Sequence, residues 1–431
     1  MRKLVALDLP GNHLFQRLVE QCFENGDAVL PLDQRLSRLA KEKIIKLLRP
    51  GLIVTSPILS DKKSVSPGGY ADYLPCLPNV DLGLNDLEVI KLEDGVDTES
   101  RDGAVIATSG TTGIPKGVIL SIDALTASAK ATNKYLGVNN DQDKWLCCLP
   151  VSHVGGFSVI TRGILTGTKV EVIPKFDFET TIRLLEEENV NLTSLVPTTL
   201  ERLGETYAGQ FRKILLGGSK LPEINSKNIV KTYGMTETAS GVVYDGNLLD
   251  KVELKFRHID STLSVNSQKL TEGEICLRGE MLFRNYRFAD QDPKNDGWFP
   301  TGDAGRVDKN GKLVVDGRIA ELIITGGEKV WPAHVEKVIA RVSGVAEVVV
   351  AGIDDKTWGQ KVTAFILPAE GTDLPDMTHI KGSVREEIGP WAVPKSIYFV
   401  KRIEKTAIGK PIKAKLISAA LTSVPADADD T

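Results

Sequence analysis

The sequence predicts an α/β protein with a large N-terminal domain of βαβ layers, a β-rich subdomain, and a small α+β domain at the C-terminus. Three observations predict this architecture. Short apolar runs alternate with helical patterns between residues 100 and 235, short strand-like runs follow one another around GEICLRGEMLFRNY, and a new helix-then-strand pattern begins near DGRIAEL. We therefore expect an N-terminal domain at residues 1–317, a C-terminal domain at 318–420 and a flexible tail at 421–431.

The alternating region begins with the strand GAVIAT, continues through the loop TSGTTGIPKG, and reaches a helix that opens at Ser121. The runs KWLCCLPV, TKVEVIP and VNLTSLVP are rich in β-branched residues and are bounded by turn residues, so we expect further strands there. In DFETTIRLLEEEN, Asp177 can cap a helix whose Phe178, Ile182 and Leu185 share one face. Such alternation favours a largely parallel sheet with helices packed on it.

The C-terminal region has its own pattern. PAHVEKVIARVSG places Val335, Val338, Ile339 and Val342 on one helical face, and AEVVVAGI and KVTAFILPA follow as strands. We expect the boundary between the domains close to Asp316–Ala320. The closing LTSVPADADDT has no apolar period, which is typical of a frayed end.

Composition excludes several classes of protein. The 431 residues are 42% hydrophobic and 26% charged, and the formal net charge of −4 argues against a nucleic-acid partner. The five cysteines form no CxxC pair and no zinc-like cluster, which indicates reduced thiols, with Cys147 and Cys148 buried. We find neither a signal peptide nor an apolar run long enough to cross a bilayer. We therefore expect a soluble cytoplasmic protein.

The loop Thr108–Gly117 combines hydroxyls, glycines and Lys116. Between a strand and a helix, such a loop can direct backbone N–H groups at a phosphate, and the helix N-terminus adds a favourable dipole. It fits neither GxxxxGK[ST] nor GxGxxG. Taken alone, it could also be a solvated turn.

Five further motifs follow in order: LLGGSKL, YGMTE, GWFPTGD, DGRIAELIITGGEKVWP and KTAIGK. Together with the loop, they resemble the signatures of the adenylate-forming superfamily, which includes acyl-CoA synthetases, peptide-synthetase adenylation domains and firefly luciferase. The resemblance covers nearly the whole chain. It implies that a carboxylate attacks the α-phosphate of ATP, giving an acyl-adenylate and pyrophosphate, and that a thiol then displaces AMP.

The resemblance also implies site residues. Lys116 and its loop would cradle the β- and γ-phosphates, Thr236 would contact the α-phosphate, and Glu237 would help to hold Mg²⁺. Tyr233 would stack on the adenine. The residues expected to bind ATP are Thr108, Ser109, Gly110, Thr111, Thr112, Gly113, Lys116, Gly217, Gly218, Ser219, Tyr233, Gly234, Thr236, Asp303 and Arg318.

Two of these, Asp303 and Arg318, would hold the ribose. Lys410 would stabilise the charge that develops during adenylation, and it belongs to a C-terminal domain that swings between the two half-reactions. The swing would bring Gly326, Gly327 and Glu328 to the pantetheine tunnel of CoA. With Lys116, Thr236 and Glu237, Lys410 completes the expected catalytic set.

The sequence departs from the superfamily pattern in three places. The hinge position that usually carries Asp or Lys is Ala320, and the last motif begins with Glu404 instead of proline. The phosphate loop also begins early, which indicates a trimmed N-terminal lobe. None of these departures removes a required charge.

The acid substrate is the least determined feature. LPVSHVGGFSVITRG resembles the corresponding segment of the o-succinylbenzoate–CoA ligases of menaquinone and phylloquinone synthesis, whose substrate has an aromatic ring and two carboxylates. Its candidate substrate-binding residues are Ser152, His153, Gly155, Gly156 and Arg162.

Alternatives remain open at this point. His153 could merely pack near the loop, and Arg162 could face solvent on a helix. The chain could instead be another aryl- or short- to medium-chain acyl-CoA ligase, an adenylation enzyme that loads a carrier protein, or a non-catalytic nucleotide-binding homologue. The sequence does not predict the oligomeric state.

Overall fold

The computed structural model describes residues 2–56, 87–109, 115–218, 226–259, 270–405, 411–421 and 425–426. The chain forms two compact units, one comprising Met1–Leu254 and Leu277–Phe299 and the other Lys255–Cys276 and Pro300–Thr431. The predicted domain limits stay a prediction. Among the described helices, none is long and apolar enough to cross a membrane.

A mixed sheet forms the N-terminal part of the first unit. Its strands are β1 (Leu4–Asp8), β2 (Ala28–Pro31), β3 (Leu52–Thr55), β4 (Glu88–Lys91), β5 (Asp102–Ser109) and β6 (Pro115–Ser121), in the order β4-β3-β1-β2-β5-β6. The inner strands are parallel, and β4 and β6 add antiparallel edges. Helices α1 (His13–Asn25) and α2 (Arg38–Leu48) connect them, each capped by a polar side chain.

The described ends of the phosphate-loop sequence belong to two paired antiparallel strands. The predicted strand GAVIAT is confirmed as part of β5, and α3 (Ile122–Leu136) is capped by Ser121, whose hydroxyl accepts from the backbone N of Ala124 at 3.1 Å. However, the loop leads into the 7 residues of β6, which pair with β5. The predicted contribution of the helix dipole to this loop is therefore wrong, since a strand separates α3 from it.

A second sheet continues the first unit. Its strands are β7 (Lys144–Cys147), β8 (Lys169–Val172), β9 (Leu192–Leu195), β10 (Lys213–Leu216), β11 (Ile229–Met235), β12 (Ser240–Tyr244) and β13 (Asn247–Leu248), in the order β13-β12-β11-β10-β9-β7-β8. The neighbouring strands among β7, β8, β9, β10 and β11 pair in parallel, as predicted. Strands β12 and β13 are added in antiparallel pairings. The helices are α4 (Val154–Thr166), α5 (Phe178–Glu187) and α6 (Pro197–Ala208).

The predicted N-terminal cap of α5 is confirmed, and its predicted apolar face is confirmed except at Phe178. The side chain of Asp177 accepts from the backbone N of Thr180 at 2.9 Å. Thr181 and Leu184 are the buried residues, whereas Phe178 is 38% exposed. Of the predicted face, Ile182 and Leu185 pack partly buried against the core, whereas the Phe178 ring packs edge-on against a tyrosine of α6.

The predicted β-rich subdomain is confirmed as a meander, most of whose residues belong to the second unit. It contains β14 (Val252–Arg257), β15 (Glu272–Gly279), β16 (Phe299–Val307) and β17 (Leu313–Arg318), in sequence order. The antiparallel register of β16 and β17 pairs Asp303 with Arg318.

The C-terminal sheet contains β18 (Ile323–Thr325), β19 (Glu328–Val330), β20 (Val345–Asp355), β21 (Gly359–Pro368) and β22 (Ser396–Phe399). Helices α7 (Pro332–Ile339) and α8 (Met377–Glu387) contribute to one apolar core, and α9 (Lys413–Ala420) contributes to another. The predicted face of α7 is confirmed for Val335, Val338 and Ile339, which are buried, whereas the helix ends before the predicted Val342, which is also buried. In the tail, the Ala426 N–H donates to the Ile397 carbonyl oxygen at 2.7 Å.

The described cysteines are free and buried, at positions 22, 147, 148 and 276. This confirms the predicted burial of Cys147 and Cys148. Burial raises the pKa of Cys148 to about 12, so its thiol stays protonated at neutral pH. Cys76 lies outside the described residues.

Candidate active site

The hairpin of β5 and β6 carries the first predicted phosphate ligands. Thr108 pairs with Lys116 and Ser109 with Pro115, while Gly110, Thr111, Thr112 and Gly113 lie outside the described residues. The Lys116 side chain is exposed, and its Nζ lies 4.9 Å from the centroid of the Tyr286 ring. The Lys116 ammonium group therefore extends from β6 to the Tyr286 ring.

The YGMTE motif forms a rigid corner at the end of β11. Thr236 and Glu237 begin a short 3₁₀ turn, and the Thr238 hydroxyl accepts from the backbone N of Met235 at 2.9 Å. A Cβ at Gly234 would stand 2.1 Å from the Ser240 carbonyl oxygen, so this position requires glycine. The predicted α-phosphate and metal ligands are thus held on a backbone with little freedom.

The glycines of LLGGSKL lie beside this motif. Gly217 and Gly218 directly follow β10, whose Leu216 pairs with Lys231 of the parallel strand β11. A Cβ at Gly217 would stand 3.0 Å from the hydroxyl of Thr232. The structure therefore brings these glycines to the same sheet edge as Tyr233, while Ser219 lies outside the described residues.

Glu237 also contacts a segment far along the chain. The Tyr286 hydroxyl donates to Glu237 Oε1 at 3.0 Å, and the Phe283 N–H donates to the Glu237 carbonyl oxygen at 2.8 Å. Tyr286 thus contacts both the predicted metal ligand and, through its ring, Lys116. The structure brings the predicted phosphate lysine and the metal carboxylate around one tyrosine.

Glu237 fits the chemistry of Mg²⁺ only in part. Within the described ranges, no group of three or more His, Cys, Asp or Glu side chains forms a ready metal site. Mg²⁺ prefers oxygen ligands and is commonly bound by one or two carboxylates together with phosphate oxygens. The residues therefore suit a magnesium ion held jointly by Glu237 and the phosphates of a nucleotide.

In the second unit, the two predicted ribose ligands form a pair. Arg318 Nε lies 2.9 Å from Asp303 Oδ1, and Arg318 Nη1 donates to the Thr301 carbonyl oxygen at 2.8 Å. Asp303 is buried and Arg318 is 45% exposed at its side chain. An acceptor and a donor side by side could together hydrogen-bond the two hydroxyls of a ribose.

The predicted CoA-binding residues occupy the turn between β18 and β19. Gly326 and Gly327 have φ of 57° and 86°, which is the left-handed backbone of a two-residue hairpin turn, and Glu328 is exposed. The Gly326 N–H donates to the Trp358 carbonyl oxygen at 2.9 Å. The Trp358 ring is 41% exposed, and Lys395 Nζ lies 4.4 Å from its centroid.

The predicted acyl segment forms the start of α4. His153 precedes the helix, and its Nε2 lies 2.7 Å from Arg35 Nη2 and 3.4 Å from Asp33 Oδ2. Burial alone would raise the pKa of Asp33, but hydrogen bonds from Arg35 and His153 outweigh it and hold that pKa well below its usual range. His153 therefore has protein partners, while the buried Ser152 hydroxyl has none among the described residues.

The two glycines of this segment differ in their surroundings. A Cβ at Gly156 would stand 2.5 Å from the carbonyl oxygens of Leu149 and Pro150, so the close approach of the backbone requires glycine there. A Cβ at Gly155 would meet only the Leu149 side chain, at 3.5 Å. Space beside the backbone is therefore available at Gly155, whereas neighbouring backbone atoms fill it at Gly156.

Arg162 lies on the helix, as the solvent-facing alternative supposed, but it is buried, at 1% exposure. Its guanidinium lies 4.7 Å from the Trp145 ring, and Nη2 donates to Ser158 Oγ at 3.1 Å. Nε and Nη1 have no hydrogen-bond partner within the described part of the chain. Burial lowers the pKa of Arg162, and the ionisable neighbours that oppose this effect are Tyr244 and Cys147.

A short polar path links Arg162 to the YGMTE corner. Ser158 Oγ, which accepts from Arg162, lies 3.3 Å from Ser240 Oγ, and Ser240 follows Glu237 by three positions. Ser240 has φ of 130°, a backbone conformation that disfavours non-glycine residues. A strained backbone and a buried cation without a counterion are typical of functional sites.

The profile of the family described as AMP-binding enzyme matches residues 5–287, and that of the AMP-binding enzyme C-terminal domain matches residues 334–410. The chain belongs to the AMP-binding enzyme family. The predicted membership of the adenylate-forming superfamily is thereby confirmed.

This AMP-binding enzyme is similar to curated relatives along most of its length. It is 31% identical to the 2-succinylbenzoate–CoA ligase of Bacillus licheniformis, with 92% of this chain and 86% of that enzyme covered. It is 36% identical to the 2-succinylbenzoate–CoA ligase of Listeria monocytogenes, with 74% of this chain and 70% of that enzyme covered.

Solved structures match the fold of this AMP-binding enzyme. The Bacillus subtilis o-succinylbenzoate CoA synthetase in complex with its acyl-adenylate intermediate has a TM-score of 0.78 and 25% identity, covering 98% of this chain and 89% of that chain. The ATP-bound MatB of Rhodopseudomonas palustris has a TM-score of 0.79 at 21% identity, covering 97% of this chain and 89% of that chain, which supports the fold alone.

Several contacts of this site were not predicted from the sequence. Tyr286 touches Glu237 from 49 positions away, and Arg35 touches His153 from 118 positions away, so no local pattern could reveal either pair. Trp358 beside the glycine turn was also missed. Lys410 lies outside the described residues.

Proposed function

We propose that this chain is an AMP-forming acid–thiol ligase that joins 2-succinylbenzoate to coenzyme A, the ligase step of menaquinone or phylloquinone synthesis. A substrate carboxylate oxygen attacks the α-phosphorus of ATP, and the bond to pyrophosphate breaks. The thiol of CoA then attacks the carbonyl carbon of the acyl-adenylate, and AMP leaves. Family membership and the 2-succinylbenzoate–CoA ligases among the relatives support this reaction.

The first step brings two anions together, so it needs donors and cations around the phosphates. Lys116 would neutralise the β- and γ-phosphates, Thr236 would donate to the α-phosphate, and Lys410 would stabilise the charge of the adenylation transition state. Bound Mg²⁺ would be held by Glu237 and would neutralise phosphate charge. The exposed Lys116 and the rigid corner that carries Thr236 and Glu237 support these roles.

Binding of the nucleoside would use LLGGSKL and YGMTE for the adenine, and GWFPTGD and DGRIAEL for the ribose. Tyr233 would stack on the adenine beside Gly217 and Gly218, and the Asp303–Arg318 pair would hold the ribose. In the second step, the turn Gly326–Glu328 would contact pantetheine, because two successive glycines let a thin chain approach the backbone closely.

The observation that carries the substrate assignment is the buried Arg162. A guanidinium at 1% exposure, with two nitrogens unpaired in the described chain, is costly unless an anion reaches it. A dicarboxylate supplies one carboxylate to react and a second to pair with this cation. The hydrogen bond from Ser158 Oγ to Ser240 Oγ extends the polar surroundings of Arg162, which supports a polar ligand beside α4.

The test is pyrophosphate release with ATP and Mg²⁺, measured with and without CoA. The acids are 2-succinylbenzoate, two analogues that each lack one of its carboxylates, benzoate and a medium-chain fatty acid. We expect release only with 2-succinylbenzoate or, more weakly, with the analogue that keeps the reacting carboxylate. The CoA thioester should appear only when CoA is added.

The other outcomes discriminate among the alternatives. Faster release with benzoate or the fatty acid would keep the reaction and overturn the substrate. Release without a thioester in the presence of CoA would favour a carrier protein as the acceptor. Absence of release with every acid would favour a non-catalytic nucleotide-binding protein.

A further inference from the structure

The segment from Phe283 to Arg287 forms an additional partner of β6, the strand that leaves the phosphate hairpin. Tyr286 forms an antiparallel bridge with Val118, and the Arg287 N–H donates to the Gly117 carbonyl oxygen at 2.7 Å. On the other side, the Ile119 N–H donates to the Asn285 carbonyl oxygen at 3.0 Å. These bonds fix the segment against the strand that begins with Pro115 and Lys116.

The same segment is bound to the YGMTE corner and to the sheet behind it. The Phe283 N–H donates to the Glu237 carbonyl oxygen at 2.8 Å, and the rings of Phe283 and Tyr286 lie 5.0 Å apart. Arg284 Nε donates to Asp102 Oδ1 at 2.9 Å, which joins the segment to the start of β5. The backbone that carries Tyr286 is therefore hydrogen-bonded both to β6 of the phosphate hairpin and to the YGMTE corner.

Tyr286 makes two chemically different contacts from this position. Its hydroxyl donates to Glu237 Oε1 at 3.0 Å, which leaves Oε2 of the same carboxylate for a metal ion. Its ring face lies 4.9 Å from Lys116 Nζ, within the range of a cation–π interaction. One side chain thus restrains both the carboxylate and the ammonium group.

We propose that Tyr286 is a positioning residue that sets the Glu237 carboxylate for Mg²⁺ through its hydroxyl and directs Lys116 to the ATP phosphates through its ring. The proposal rests on the proposed function, since it assigns Glu237 and Lys116 their roles in adenylation. A carboxylate and a lysine side chain have several rotamers, and ordering them before the nucleotide arrives reduces the entropy lost on binding.

The two contacts can be separated by substitution. In Tyr286→Phe the ring remains beside Lys116 but the hydrogen bond to Glu237 is lost. Loss of a hydrogen bond that orients a metal ligand typically costs ten- to a hundredfold in metal affinity or activity. We expect the Mg²⁺ concentration for half-maximal pyrophosphate release to rise by about tenfold, with the KM for ATP at saturating Mg²⁺ unchanged.

Tyr286→Leu removes both contacts. We expect the same increase in the Mg²⁺ requirement and, in addition, a KM for ATP raised by about three- to tenfold at saturating Mg²⁺, because Lys116 loses its aromatic partner. The matched control is Tyr135→Phe, which removes another tyrosine hydroxyl of the first unit, one that donates to the Tyr244 carbonyl oxygen at 3.2 Å. Its Mg²⁺ requirement should equal that of the unsubstituted enzyme.

A double-mutant cycle with Glu237→Gln, scored by Mg²⁺-dependent binding of ATP, distinguishes positioning from a general loss of stability. If Tyr286 acts through Glu237, Tyr286→Phe should change the Mg²⁺ dependence little once Glu237 is replaced. The proposal is overturned if Tyr286→Phe leaves the Mg²⁺ requirement unchanged, or if its effects in the two backgrounds add. Inactivity of the unsubstituted enzyme with all acids would instead contradict the proposed function.

Discussion

At Arg162, the requirements of stability and of function oppose each other. The side chain is enclosed by the core of the first unit, with the Trp145 ring on one face and Ser158 Oγ as a hydrogen-bond acceptor, while Nε and Nη1 have no partner in the described chain. A buried charge without a counterion destabilises the fold, and apolar replacements of buried ionic groups are often neutral or stabilising. A residue retained against stability points to a ligand.

We therefore predict that Arg162→Met raises the free energy of unfolding by about 1–2 kcal/mol, since methionine fills similar space and its sulfur can contact the Trp145 ring. The KM for 2-succinylbenzoate should rise by about tenfold or more, as expected for an unpaired buried carboxylate. Urea unfolding and pyrophosphate release measure the two effects. The control is Arg202→Met, an exposed arginine whose guanidinium lies 5.0 Å from the Phe176 ring. A marked loss of stability in Arg162→Met would mean that Arg162 is structural.

Among elements, the sequence predicts helices and strands better than the faces and partners they use. The strands β5, β7, β8 and β9 and the cap of α5 are recovered because β-branched runs and capping residues act locally. The pairing of β6 with β5 was missed because a β-hairpin whose loop has no Asn-Gly or Asp-Gly signal looks like a strand followed by a coil. The exposure of Phe178 on α5 accompanies a ring contact with α6, which no local pattern encodes.

The contact of β17 with α7 in the second unit depends on one buried carboxylate. Asp316 accepts from Arg306, and its Oδ1 lies 3.2 Å from His334 Nε2 at the start of α7. Burial alone would raise the pKa of Asp316, but the hydrogen bonds from His334 and Arg306 outweigh it and hold the pKa below its usual value. The carboxylate therefore stabilises the folded unit above the unfolded pKa of about 4. That contribution is lost as the pH falls through the lower folded pKa.

We predict that Asp316→Asn lowers the stability of this unit by about 1–3 kcal/mol at pH 7. Below the folded pKa of Asp316, the difference from the unsubstituted chain should become small. Hydrogen exchange of α7 peptides, compared between the two chains at each pH, measures this difference. Asp373→Asn removes the same charge at an exposed position of the second unit and should have little effect. If Asp316→Asn lowered the protection of α7 equally at pH 7 and below the folded pKa of Asp316, the charge of Asp316 would not stabilise this contact.

For the whole molecule, the order of the motifs predicted the superfamily and its site residues, which no single motif could do. The phosphate hairpin, the glycines after β10 and the YGMTE corner lie at ends or turns of strands, where local sequence determines the backbone, and Asp303 and Arg318 are paired on neighbouring strands. The contacts that tune these groups come from distant segments, such as Tyr286 on Glu237 and Asp33 on His153. Those contacts arise from the topology, so the sequence alone could not reveal them.

The last prediction concerns the division of labour between the two half-reactions. By sequence, Lys410 lies in the predicted C-terminal domain, whereas Lys116, Thr236 and Glu237 lie in the predicted N-terminal domain. If Lys410 serves adenylation alone, Lys410→Ala should lower acyl-adenylate formation by at least about a hundredfold, as for the loss of a group that stabilises transition-state charge. Thioester formation from a supplied acyl-adenylate and CoA should remain close to that of the unsubstituted enzyme. Lys401→Ala, which removes an exposed lysine of the predicted C-terminal domain, is the control and should leave both rates unchanged. Equal loss in both half-reactions would show that Lys410 acts throughout the cycle or supports the fold.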